Sequence, residues 1–183
     1  MAHLPTPYVL RQAVDGELPQ AIAIDDSAVS IFAAAGVIID LSDDHPFVLS
    51  EHRCWERALA RGDLFFACAG KAGAPAGFIA LDVLGDRAYL EQLSVHPDHQ
   101  RRGLGRALVE EACERFRARG AAELWLTTYA HVPWNRPFYE RCGFRVAPEA
   151  QCNAELHAVL EQQRSALPHP EQRVAMVRPL SLR

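Results

Sequence analysis

The stretch Ala88-Tyr-Leu-Glu-Gln-Leu-Ser-Val-His-Pro-Asp-His-Gln-Arg-Arg-Gly-Leu-Gly-Arg-Ala-Leu108 decides how the rest of the chain is read. A β-rich run, Ala88–Val95, ends at a His-Pro-Asp turn. A long helix then opens with Gln100-Arg-Arg-Gly-Leu-Gly105 and continues to about Arg119. Leu104, Leu108, Ala112 and Phe116 form its apolar stripe, and Gly120 is a natural stop. Glycines at such a junction let backbone approach a ligand closely, and the free N–H groups of a helix start attract negative charge. Arg101, Arg102 and Arg106 add cationic side chains. Three arginines at the positive end of a helix dipole are unfavourable unless an anion neutralises them. The anion is a pyrophosphate by chemistry, yet no Gly-Lys-Ser/Thr marks a nucleotide P-loop. Gly103-x-Gly105 alone falls short of a dinucleotide fingerprint.

Upstream, Tyr8–Val14 reads as a strand, Glu17–Ala35 and Pro46–Ala60 as helices, and Leu64–Ala69 and Gly77–Val83 as a hairpin. Downstream come a strand at Glu123–Thr128, a short helix near Arg136–Cys142, and strands at Phe144–Val146 and Arg173–Arg178. The connection between these last two is too long for a simple loop, and Leu156, Val159, Leu160 and Leu167 predict a helical insert over about 149–168. The expected architecture is α/β, in finer terms an α+β mixed sheet: six to seven mainly antiparallel strands flanked by helices on both faces. We expect one domain over residues 1–183. At 49% hydrophobic and 23% charged, the chain has the apolar content for one full core.

A net charge of −4 without a long basic run argues against a nucleic-acid partner. No window holds the roughly 18–20 apolar residues of a membrane span. Met1–Leu10 lacks the pattern of a secretory signal. Five scattered cysteines without a CxxC pair read as reduced thiols, so the expected location is cytoplasmic. No ligand set for a metal is recognisable, and none is expected.

Gln100-Arg-Arg-Gly-Leu-Gly105 resembles the Gln/Arg-x-x-Gly-x-Gly/Ala signature of the GNAT superfamily of acetyltransferases. Leu90-Glu-Gln-Leu-Ser-Val95, the His-Pro-Asp turn and Phe138-Tyr-Glu-Arg-Cys-Gly-Phe144 stand in that family's order. The resemblance is strong over residues 77–146. It implies a GNAT fold and acetyl-CoA as co-substrate, with the backbone of Leu93, Ser94 and Val95 along the pantetheine arm. It also implies that Gln100, Arg101, Arg102, Gly103, Leu104, Gly105 and Arg106 surround the pyrophosphate. The strands Ala88–Val95 and Glu123–Thr128 would splay to admit the thioester.

On the same footing Glu91 is the candidate general base and Tyr139 the general acid for the leaving thiolate. Strict alternation puts Glu91 on one face with Tyr89, Leu93 and Val95. Relatives often carry an Asn seven residues before the tyrosine; here that place is Val132. Asn135 lies closer, as an expected N-cap ahead of Pro137 and a candidate CoA contact.

The expected activity is acetyl transfer from acetyl-CoA directly to the amine of a small-molecule acceptor. A peptide or protein N-acetyltransferase is one alternative, and a non-catalytic acyl-CoA-binding regulatory module another. Asp25, Asp26, Asp40, Asp43 and Asp44 cluster where an acceptor would enter and read more readily as caps and solvated loop charges than as amine ligands. Trp55, His131 and Trp134 are candidate aromatic walls, and the insert is a candidate cover for the acceptor. Strand edges are compatible with a homodimer, although no residue specifies one.

Overall fold

In the computed structural model, which describes residues 4–70 and 73–180, the deciding stretch lies at the centre of a seven-stranded sheet. Met1–His3, the beginning of the segment read for a signal sequence, fall outside the described residues. The strands are β1 (Tyr8–Gln12), β2 (Leu64–Ala69), β3 (Pro75–Leu84), β4 (Arg87–Val95), β5 (Glu123–Tyr129), β6 (Arg145–Val146) and β7 (Arg173–Pro179), in the order β1-β2-β3-β4-β5-β7-β6. Every neighbouring pair is antiparallel except β4 and β5. Among the described residues no helix is long and apolar enough to cross a membrane.

Among the described residues five α-helices cover the two faces. The apolar stripe of α3 (Leu104–Ala118) buries Leu104, Leu108, Ala112 and Phe116 against Phe65, Ile79, Leu90 and Leu126. On the other face α1 (Leu18–Val29) and α2 (Pro46–Ala60) bring Ile24 and Trp55 onto Phe66 and Phe78. A 3₁₀ turn over Ser30–Ala35 replaces the end of the expected first helix and stops at Gly36, whose φ of 75° suits glycine. Helix α4 (Arg136–Arg141) packs Phe138 on the α3 side. The insert holds helix α5 (Ala154–Ala166), whose Leu156 and Leu160 are fully buried on Tyr89, Trp125, Ala175 and Val177. Burying a leucine stabilises a fold by about 1.5–3 kcal/mol, so α5 is part of the core layer as well as a covering element.

Two departures from regular pairing shape the centre. Strands β4 and β5 pair in parallel only at Ala88↔Leu124 and Tyr89↔Trp125, and beyond those positions they have no mutual register. The splay implied by the resemblance is therefore present. Between β3 and β4 the register passes from Ala80↔Gln92 to Leu81↔Leu90, leaving Glu91 as the extra residue of a β-bulge. The bulge overturns the strict alternation expected along β4. Leu90, Leu93 and Val95 pack toward α3, whereas Tyr89 joins the α5 cluster and Gln92 and Ser94 reach Asp25 of α1.

Candidate active site

Where β4 and β5 part, the free edge of β4 opens onto a cavity of about 920 Å³. Its walls are the second half of β4, the start of α3, the end of β5, α4, and the α1–α2 region.

The α3 end of the cavity has the features of an anion cradle. Gly103 occupies the N-cap position at φ 80°, no side chain caps the helix, and the first intrahelical bond runs from Ala107 N to Gly103 O at 3.1 Å. The amides of Leu104, Gly105 and Arg106 thus have no helical acceptor. Arg101 adopts a left-handed backbone at φ 58°, a conformation that costs a non-glycine residue free energy and turns the loop sharply. A Cβ on Gly105 would meet the Phe138 ring at 3.4 Å, in van der Waals contact, so α4 stands close over the first turn of α3. Gln100 Nε2 donates to Val95 O at 3.2 Å and ties the turn to the end of β4. This arrangement fits a pyrophosphate with an extended arm running along β4.

Of the residues expected here, Leu93, Ser94, Val95, Gln100, Arg101, Gly103, Leu104, Gly105, Arg106 and Asn135 line the cavity. Arg102 does not: its guanidinium donates to Tyr8 Oη at 3.4 Å, away from the wall. The Ser94 hydroxyl is turned to the α1 side, where it donates to Asp25 Oδ1, so on the cavity side Ser94 offers backbone. Asn135 holds the N-cap position of α4, but its side chain makes no capping bond, contrary to the expected cap. Its backbone leaves the geometry in which the side chain reaches the first-turn amides, and that side chain borders the cavity instead. Val132 is buried against Val37 and Tyr129 and serves as a packing residue.

Glu91 and Tyr139 border the same cavity from β4 and α4. Burial, followed by the charge of Asp82, pushes the Glu91 carboxyl up to about 7, while a hydrogen bond from Cys54 and the charges of Arg57 and Arg61 pull the other way. Burial also raises the Tyr139 phenol, which stays protonated. Its ring meets Phe138 and Phe144 edge to face at 5.0 and 5.8 Å, and among the described residues its hydroxyl has no hydrogen-bond partner. A carboxyl that titrates near neutrality and a protonated phenol with a spare donor thus share one cavity.

The end of the cavity beside α1 and α2 also holds Gln92, Glu51 and Arg173, which sequence reasoning did not single out. Gln92 Nε2 donates to Asp25 Oδ1 at 2.5 Å and to Ser94 Oγ at 3.1 Å, and burial raises the Asp25 carboxyl. Glu51 of α2 borders the cavity, and burial, then the charges of Asp25 and Glu91, push it up to about 8. Arg173, at the start of β7, is 8% exposed and donates to Gln163 Oε1 at 2.6 Å. One signal for Glu51 was present: Phe47, Glu51 and Trp55 fall at i, i+4 and i+8, which puts a carboxylate on the apolar stripe of α2. Asp25, Asp26 and Asp43 border the cavity, whereas Asp40 and Asp44 do not. Trp55 and Trp134 border the cavity, and Trp55 is at the same time a core residue packed on Phe78. His131 packs instead between Tyr129 and His169. From α5 and its end, Gln163 and Leu167 reach the cavity. Among the described residues no group of His, Cys, Asp and Glu could hold a metal ion.

The sequence and fold have relatives. Ribosomal protein bS18-alanine N-acetyltransferase of Escherichia coli K12 is 41% identical over 75 residues, 41% of this chain and 51% of that protein. The chain thus spans about half the length of the curated relatives it matches. Streptothricin acetyltransferase of Streptomyces lavendulae is 37% identical over 82 residues, 43% of each chain. The solved structure of the ribosomal-protein-S18-alanine N-acetyltransferase from Escherichia coli superposes with a TM-score of 0.62 at 24% identity, covering 96% of both chains. The profile of the Acetyltransferase (GNAT) family matches residues 35–144, more than half of the chain and the part that carries α3, Glu91 and Tyr139. The chain belongs to the GNAT family of N-acetyltransferases, whose acyl donor is acetyl-CoA.

Proposed function

We propose that this protein transfers the acetyl group of acetyl-CoA directly to the amine of a small-molecule acceptor, with Glu91 as general base and Tyr139 as general acid. The observation that carries this reading is one continuous cavity joining the uncapped start of α3 to both residues. An alkylammonium with a pKa near ~10 is only about 0.1% neutral at pH 7, so the acceptor must lose a proton before it attacks. Glu91, poised near 7, takes that proton directly or through water. The amine nitrogen adds to the thioester carbonyl carbon. The C–S bond then breaks, the Tyr139 hydroxyl gives its proton to the departing thiolate, and the second proton shed by the adding nitrogen returns to the phenol oxygen, directly or through water. The amides of residues 104–106 and the guanidiniums of Arg101 and Arg106 would hold the pyrophosphate, and Asn135 would contact CoA from α4.

A second reading, acetylation of a peptide or protein amino terminus, is favoured by the bS18-alanine N-acetyltransferase relatives. The small-molecule reading is preferred because the acceptor end is walled by α1, α2 and the end of α5. Initial rates of CoA release separate the two. The panel would contain small mono- and diamines and alanine-terminated peptides. Faster turnover of peptides at equal concentration would replace the small-molecule reading. No release above hydrolysis with any amine would sink the roles given to Glu91 and Tyr139.

A further inference from the structure

Glu51 sits on the buried stripe of α2, between Phe47 and Trp55, where packing alone would place an apolar side chain. Its carboxyl borders the cavity yet has no hydrogen bond or ion pair with any described residue. An enclosed carboxylate without a partner is costly until a proton or a cation neutralises it. The groups around it supply no such cation. Asp25 on α1 and Glu91 on β4 are both acidic. Arg173 on β7 directs its guanidinium to Gln163 Oε1, Thr127 Oγ1 and the Tyr129 ring. His52, on α2 itself, lies against the Trp55 ring at 5.2 Å, and Tyr139 faces Arg173 from α4. Glu91 has Arg57 and Arg61 nearby, so the cation left to Glu51 is Arg173, whose hydrogen bonds go to other residues. Aromatic Phe32, Trp55 and Trp134 complete the wall.

We propose that the acceptor carries a second ammonium group beside the amine that is acetylated, and that Glu51 together with Asp25 holds it. The class is a short diamine, or a larger compound ending in one. This rests on the acetyl-transfer reading above: Glu91 attends the reacting amine, and Glu51 keeps the second one charged and in place. Binding a dication ionises Glu51, so the protein releases a proton when such a ligand enters at pH 7. Affinity for it rises with pH through about 8, as Glu51 of the empty site ionises.

The test is calorimetric titration of the CoA-loaded protein, a complex that cannot turn over, with 1,4-diaminobutane and with 1-aminobutane. Measurements in two buffers of different ionisation enthalpy count the protons. We expect the diamine to bind at least about tenfold tighter and to release protons. In a Glu51→Gln variant that still binds CoA, the ratio of the two affinities should collapse toward one and the proton release should vanish. Equal affinity for the two amines, or an unchanged ratio in the variant, overturns the proposal. Steady CoA release with 1-aminobutane, without any preference for the diamine, would overturn it while leaving the transferase reading intact. Tight diamine binding that depends on Glu51, with no CoA release from acetyl-CoA, would keep an ammonium site at Glu51 but overturn the acetyl-transfer reading and with it the diamine's role as acceptor.

Discussion

Glu91 is displaced from the regular register of β4, and its chemistry follows from that displacement. As the extra residue of a bulge it turns toward α2 and the cavity while the apolar residues on either side pack toward α3. As the proposed base it acts deprotonated, so kcat/KM should rise with pH through about 7 and level off above it. Glu91→Gln should lower kcat by roughly 10²–10⁴-fold and flatten that limb, as a pH–rate profile would show. Retention of the limb in the variant would assign it to another group. Tyr139→Phe should slow turnover by about 10²-fold and leave stability nearly unchanged, because the lost hydroxyl has no partner within the described chain. A matching drop in melting temperature would mean the phenol is structural. Glu51 adds a stability effect of opposite sign to the usual carboxylate. Its folded value lies well above the ordinary glutamate range, so its cost is absent in acid and grows as pH rises toward about 8. Glu51→Gln should therefore stabilise the fold at pH 9 by at least about 1 kcal/mol, or roughly 2–4 °C, and have little effect at pH 4. Thermal melts at the two pH values decide it.

The elements themselves were largely legible. Helix α2 was expected at its observed bounds, and α3, β5 and α4 within a residue or two, because an uninterrupted apolar period ended by glycine leaves few alternatives. The bulge at Glu91 was not legible. Its extra residue shows only in the pairing with β3, and no local pattern in β4 distinguishes a bulge from simple alternation. Glu51 and Arg173 were missed for a related reason, since α2 and β7 are far apart in sequence and meet only through the topology of the sheet. The turn into α3, by contrast, was readable because glycine and arginine types carry its chemistry locally. Gly103 tests that local logic. Its φ of 80° is left-handed, and an added Cβ would touch nothing closer than Pro5 at 4.0 Å, so Gly103→Ala probes backbone strain with little steric cost. A loss of about 1–2 kcal/mol in denaturant unfolding is expected, together with weaker acetyl-CoA binding as the amides of residues 104–106 lose their aim. Unchanged stability would mean the loop relaxes, and its geometry would not be held for a ligand.

Across the whole molecule, the sheet behaves as two blocks, β1 to β4 and β5 with β7 and β6, joined by only two register positions. The helices bridge the gap: α3 packs on strands of both blocks, and on the opposite face α5 covers Tyr89 and Trp125 together. A donor lying along the free edge of β4, with its pyrophosphate on α3, would add contacts where the sheet supplies few of its own. Such a ligand binds the folded state alone, because the cradle and the open strand edge exist only after both blocks are assembled. At 100 times its dissociation constant it should stabilise the protein by about 2.7 kcal/mol, which is a rise of roughly 5–11 °C for a domain of this size. Acetyl-CoA and CoA should both produce that rise, since the pyrophosphate and the arm are common to them. Adenosine diphosphate, which lacks the arm, should produce much less. A similar rise with adenosine diphosphate would place the binding energy on α3 alone and remove the wedge between β4 and β5 from the donor site. No rise with either CoA species would disconnect the anion cradle from the cavity chemistry altogether.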